Sequence, residues 1–334
     1  MSKRRSGGFR KTRKLIHDSE TAKKMNCNPI TEKQSIDKGT CYTPEALHKM
    51  KSEFNHLSNT NNTKITASEP RQILKDLTTA LSDKCSDKKE DCLIKQLPRI
   101  NKELRDKLFA PYQPKEWKIN HNEWLSNFDI EDVLKQYEEA YPSFKLLGPT
   151  SIDFDKTISD RCVDEEFCKF DLKKFLKEGK TDIGMSFNLA NHDEEGTHWV
   201  SQFVHIDKKL GHSFIFYFDS VGMRPPKEIT ELIKRIKEQG KELGINFKYI
   251  RNKKEHQRGD SECGMYSLFF IITFLTGFLI NPKLLELKET KKGLLGTEGG
   301  ISYKSNLLKL IQFFTTKRIS DKSIERFRDF YFNP

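Results

Sequence analysis

The chain has 334 residues, 35% hydrophobic and 32% charged, with a formal net charge of +11, long enough for one large domain or two ordinary ones but too polar to pack uniformly, so part of it should be arm or linker. Its seven cysteines, an odd set without a C-x-x-C pair and without a secretory signal before them, argue against a disulfide-stapled secreted scaffold and predict reduced thiols in a cytosol-like compartment. The one membrane-like stretch, Met265 to Ile280, falls short of the roughly 20 residues a span needs and is interrupted by Ser267, Thr273, Thr276 and Gly277, which predicts a buried core helix and no membrane span.

Residues 1–35 read as a flexible basic arm: Lys3, Arg4, Arg5, Arg10, Lys11, Arg13 and Lys14 crowd its start with no acid among them, a pattern that can bind nucleic acid or stay unpartnered. Residues 36–110 read as a helical accessory domain. Thr43-Pro44-Glu45 starts one helix, Glu69 to Leu81 forms a second, and Leu93, Ile94, Leu97, Ile100, Leu104 and Leu108 place a third over Asp91 to Phe109. Asn59 to Thr66 is a polar loop, and Cys85 and Cys92 read as two separate structural thiols. Residues 111–334 are richer in aromatic side chains. Trp117 is expected in the core, and Ile130 to Tyr137 form an amphipathic helix with Asn127 and Asp129 as caps.

A β-hairpin follows, His198 to Ile206 and Ser213 to Asp219 joined by the turn-rich Asp207 to Gly211. Its second strand is apolar on both faces and should lie inside a sheet. Pro226 to Lys241 is an amphipathic helix and Ile245 to Ile250 a strand, which leads into the polar loop Glu255 to Glu262 and then Cys263-Gly264 at the head of the apolar helix. Asn281-Pro282 ends that helix, Gly293 to Gly300 forms a glycine-rich loop, and two helices finish the chain.

A thiol at a helix N-terminus meets unpaired N–H groups and the positive end of the helix dipole, which favour a thiolate. Such a nucleophile needs an imidazole, and the imidazole needs a third group to orient it. If Ile206 faces Ser213, Asp219 lies opposite Val200 and therefore beside His198, whereas Asp207, His205 and His212 fall at the far end, about 20 Å away. His192 and His256 lie in loops and stay open as alternatives. Gln257, with the Cys263 N–H, is placed to donate to an oxyanion, and Gly264 leaves room for close backbone approach.

His198-Trp199, Asp219, and Gln257 followed after five residues by Cys263-Gly264 resemble the His-Trp, Asp/Asn, Gln-x5-Cys-Gly pattern of ubiquitin-like-protein-specific and adenain-type cysteine proteases. Trp124-Leu125-Ser126-Asn127 is similar to an element upstream of that family's catalytic His, and the branch most resembled is the polyprotein-processing proteases of large DNA viruses, African swine fever virus among them. The resemblance implies an α+β, papain-like protease core behind the helical N-terminal domain. It implies His198 as base, Asp219 as its orienting partner, Cys263 as nucleophile, Gln257 as oxyanion donor, and Trp124, Asn127 and Trp199 as substrate-binding residues. The tryptophans would enclose a Gly-Gly tail, because flat indole walls exclude residues with side chains. No metal or organic cofactor is required. The expected activity is cleavage after Gly-Gly in Gly-Gly-X sites, in viral structural polyproteins during maturation in the host cytoplasm and virion. The alternatives are a deconjugase for a ubiquitin-like modifier and, in another class, an inactive scaffold of this fold bound to nucleic acid through its arm.

Overall fold

The computed structural model describes residues 25–37, 39–58, 63–85, 89–208, 211–277 and 303–334. The basic cluster of the arm, Asn281-Pro282 and the Gly293 to Gly300 loop lie outside the described residues. The N-terminal region builds α1 (Pro29–Gln34), α2 (Pro44–Leu57), α3 (Pro70–Ala80), α4 (Cys92–Lys95) and α5 (Asn101–Leu108) around a core that includes Leu47, Met50, Ile73, Leu77, Ile94 and Leu104. Thr43 caps α2, its side chain accepting from the Ala46 N–H, with Pro44 in the first helical position.

Three expectations for this region need correction. The single helix over Asp91 to Phe109 is two, α4 and α5. Pro98 lies between them, and a proline has no N–H to donate and clashes with the carbonyl four residues back, so the apolar spacing continues while the helix does not. The last part of the expected arm is folded: the Asn26 N–H donates to Asn333 Oδ1 at 2.7 Å, Cys27 bridges to Phe109, and α1 begins at Pro29. The cysteines are not all reduced thiols, since Cys27–Cys41, Cys85–Cys92 and Cys162–Cys168 are disulfides with Cα separations of 5.2, 5.7 and 6.3 Å. Cys263 alone is free.

The larger region adds α6 (Asn127–Ala140), β1 (Phe144–Ser151), β2 (Thr157–Ile158), β3 (Arg161–Cys162), α7 (Glu165–Cys168), α8 (Leu172–Lys177), β4 (Asp182–Asn188), β5 (Trp199–His205), β6 (Phe214–Phe218), α9 (Lys227–Glu242), β7 (Lys248–Arg251), α10 (Cys263–Thr276), α11 (Tyr303–Thr316), α12 (Asp321–Glu325) and α13 (Arg328–Tyr331). A five-stranded sheet runs β1-β4-β5-β6-β7, with β2-β3 as a separate pair. β1 is parallel to β4 and β7 to β6, while β4-β5 and β5-β6 are antiparallel. The hairpin has the expected register, His205 facing Phe214 and Ser201 facing Phe218. Among the described residues three helices, not two, follow α10. β1 and β4 are unassigned from the sequence.

Alternation along β6 explains the two layers. Phe214, Phe216 and Phe218 join the core that contains α6, α10 and α11, and Ile215 and Tyr217 join the opposite core, to which α9 contributes Ile229, Leu232 and Ile236. α10 is buried from Cys263 to Leu275, as an all-round apolar helix must be, and Gly277 closes it at φ 70°. Among the described residues no helix is long and apolar enough to cross a membrane. α10 lies close on β4: a Cβ at Gly184 would sit 2.8 Å from both Ile271 Cγ2 and the Phe144 ring. Gly184→Ala should therefore destabilise the chain by about 1–3 kcal/mol in urea unfolding, and an unchanged midpoint would contradict this close packing.

Candidate active site

Cys263 is the first residue of α10 and is 2% exposed. No side chain caps the helix, in contrast to α6, where Ser126 and Asp129 form a reciprocal capping box. Ser126, not Asn127, is thus the cap of α6, and Asn127 is its first residue. The leading N–H groups of α10 are therefore left for an anion, whether thiolate or oxyanion. Gly264 serves a different contact from the one expected: a Cβ there would lie 2.9 Å from Leu125 Cβ, so the glycine lets α10 close on the Trp124-Leu125 segment.

His198 precedes β5 and Asp219 follows β6, so the hairpin register places them side by side. His198 Nε2 donates to Asp219 Oδ1 at 2.9 Å, and the same oxygen accepts the Val221 N–H at 2.9 Å. With Nε2 engaged, Nδ1 is the nitrogen left for the thiol, and Cys263 is the second group, after Asp219, that favours the charged ring. Burial alone would lower the His198 pKa; the hydrogen bonds to Asp219 and then to Cys263 outweigh it and push the value up to about 9. At neutral pH the ring is an imidazolium.

Asp219 is 1% exposed and is held by a residue the sequence does not single out. Asn252 accepts the Asp219 N–H at 3.0 Å and donates to its carbonyl at 2.6 Å. Ser220 performs a similar task for Gln257: its hydroxyl donates to Gln257 Oε1 at 2.6 Å, and its carbonyl accepts the Gln257 N–H at 2.9 Å. Because Oε1 is occupied, the sense of the amide is set. One Nε2–H goes to the Gly259 carbonyl at 2.9 Å, which leaves the other for an oxyanion.

Trp124, Asn127 and Trp199 line one cavity of about 550 Å³. Trp199 is buried and donates from Nε1 to the Leu125 carbonyl at 3.0 Å, while Trp124 is 41% exposed at the rim. Leu125 is thus the joint between the β5 indole and the head of α10.

The competing histidines have other employment. His192 pairs with Asp153 at 2.7 Å. His205 has its own acid, Asp182, at 2.7 Å, so the far end of the hairpin carries a second His-Asp pair with no thiol beside it. His256 is fully buried, donates from Nε2 to the Phe314 carbonyl at 3.0 Å and accepts the Ile319 N–H at 3.2 Å, a neutral structural imidazole.

Residues 187–292, which hold all four candidate catalytic residues, match the Ulp1 protease family, C-terminal catalytic domain. A protein of Acanthamoeba polyphaga mimivirus described as a thiol protease is 32% identical over 191 residues, 56% of this chain and 60% of that protein. A SUMO-1 cysteine protease of African swine fever virus is 30% identical over 186 residues, 52% of this chain and 63% of that protein. The matched stretch spans less than two thirds of either relative. A crystal structure of an African swine fever virus protease shares the fold, with a TM-score of 0.54 at 23% identity over 80% of this chain and 93% of that one.

Two titrations test the assignments. His198, followed by ring NMR, should titrate near pH 9, and Asp219→Asn should lower that value because the Asp219 hydrogen bond is the largest raising influence; an unmoved pKa would separate the pair. His256 is pushed down to about 4 from 6.5, chiefly by burial. Its neutral form therefore stabilises the fold above about pH 6.5, and this contribution is lost as the pH falls through 4. His256→Gln should flatten the decline in unfolding free energy across that window, and an equally steep decline would place its origin elsewhere.

Proposed function

We propose, on the premise that residues 187–292 form a Ulp1-type catalytic domain, that the chain is a cysteine endopeptidase that cuts after Gly-Gly in Gly-Gly-X sites. The observation that carries this is the one unpaired cysteine, seated at the uncapped head of a buried helix with a His198 imidazolium held by Asp219 at its side.

The thiolate of Cys263 attacks the glycine carbonyl carbon. The oxyanion is held by the Cys263 N–H and the free Nε2–H of Gln257, and His198 gives its Nδ1 proton to the leaving amine. Water then loses a proton to His198 as it attacks the thioester, and the thiolate returns. Asp219 keeps the ring oriented, and Asn252 and Ser220 are positioning residues for Asp219 and Gln257. The cavity beside Trp124, Asn127 and Trp199 receives the residues before the scissile bond, and its indole walls favour glycine by exclusion.

The substrates we propose are viral structural polyproteins, cut during maturation in the host cytoplasm and virion. The likeness to two viral proteins described as cysteine or thiol proteases supports this setting, and three disulfides suit a particle that leaves the reducing cytosol. The domain division at residue 110 belongs to the same reading, with residues 111–334 as the protease domain.

Purified chain should cleave a Gly-Gly-X peptide, and Cys263→Ala should reduce kcat/KM to background, a loss of about 10⁴-fold or more. Persisting cleavage in that variant would remove Cys263 from the mechanism. Preferred cleavage of a ubiquitin-like precursor over the peptide would instead identify a deconjugase. Failure to cleave either, together with slow alkylation of Cys263 at neutral pH, would leave an inactive scaffold.

A further inference from the structure

A second groove, of about 960 Å³, runs between α9 and β7, and none of His198, Asp219, Gln257 or Cys263 lines it. Its strand wall presents Phe247, Tyr249 and Arg251, alternate residues and hence one face of the strand; its helix wall presents Lys234, Lys237 and Lys241, one stripe of α9. Arg224 and Lys253 also line it, which brings the cations to six against one carboxylate, Glu238.

α9 carries the exposed ion pairs Lys227–Glu231 and Lys234–Glu238, yet its charges are sorted between its sides. α9 also carries Glu228, Glu231 and Glu242, and none of these three lines the groove. Three of the four acids of α9 lie away from the groove and Lys234, Lys237 and Lys241 toward it; the fourth acid, Glu238, sits 3.9 Å from Lys234, and the six cations outnumber it, so the potential inside is positive. Tyr249 stands within that field, 37% exposed, above an apolar floor that includes Ile233 and Phe247. A cationic trough with an aromatic face inside it is the combination that holds single-stranded nucleic acid, the backbone on the cations and a base on the ring. A poly-acidic peptide without aromatic residues offers no ring to stack on Tyr249, and the bases of a duplex are already paired and stacked on each other, so the unpaired bases of a single strand suit the exposed tyrosine best.

We infer that this groove binds single-stranded nucleic acid, with phosphates against Lys234, Lys237 and Lys241 and a base stacked on Tyr249. None of the candidate catalytic residues lines this groove, and the inference rests on its own lining, whereas composition alone assigns a polyanion to the basic arm.

Fluorescence anisotropy of the full chain with a labelled oligothymidylate, a duplex of equal length and a poly-glutamate peptide tests it. The single strand should bind most tightly, with log affinity falling against log salt by about 0.7 per phosphate engaged. The triple variant Lys234→Gln, Lys237→Gln, Lys241→Gln should weaken binding by about tenfold or more. Tyr249→Ala should weaken it by about tenfold and Tyr249→Phe should restore it, each variant unfolding at the wild-type midpoint; if the triple variant does not, the tyrosine pair decides. Undiminished binding in these variants would place the polyanion on the arm and overturn the inference, as would tighter binding of the duplex or of poly-glutamate.

Discussion

The constraint on which the site depends is the enclosure of α10. Buried from Cys263 to Leu275, this helix can be stable only with protein on every side, and the sheet face built from Phe203, Phe214, Phe216 and Phe218 together with α6 and α11 supplies that enclosure. Helix and sheet then act as one rigid body. The thiol at the head of the helix is placed by the packing of the aromatic and aliphatic side chains around α10 rather than by its own loop alone, and Gly184 and Gly264 are two points where the backbone comes close enough to set the depth of the helix.

Onto this fixed thiol the hairpin brings an imidazole and a carboxylate at one end of two hydrogen-bonded strands. The same hairpin carries His205 beside Asp182 at its other end, and the two pairs differ in what surrounds them. His198 has a thiol as a further partner and an acid whose main chain is clamped by Asn252; its charged form is favoured. His256, only a few residues from Cys263 in the chain, is driven the other way because burial meets a carbonyl acceptor and an N–H donor but no carboxylate. Ring chemistry here follows from neighbours, not from proximity in sequence.

Charge is sorted in space as well. The net +11 of the chain is not spread evenly over the two cavities: the one beside Trp199 contains Asp164 and Glu194 and no lysine or arginine, and the one along α9 contains six cations. The same molecule thus offers a polar cavity beside Trp199 that holds acids and no lysine or arginine, and a basic trough along α9.

Much of the site was legible from residues alone because it rests on short periods. Two strand-like runs on either side of the turn-rich Asp207 to Gly211 determined the hairpin and, by pairing across that turn, its register; a one-residue slip would have moved Phe214, Phe216 and Phe218 from one core to the other. A mostly apolar run after Cys263, too short and too often broken by Ser and Thr for a span, determined a buried helix, and Thr43-Pro44 determined a helix start. Tertiary structure decided what depends on meeting across distance. β1 pairs in parallel with β4 across a long crossover, a contact that no local pattern announces; the cysteine pairs require Cα atoms brought within bridging range; and Asn252, Ser220 and Leu125 acquire their tasks only when Asp219, Gln257 and Trp199 fold against them. Pro98 was readable and was outweighed by apolar spacing, since period reports which face is buried and not whether the backbone can continue. Local order is written in neighbouring residues; hydrogen-bond partners remote in the chain are chosen by packing, where a buried polar group must take the partner that the fold delivers.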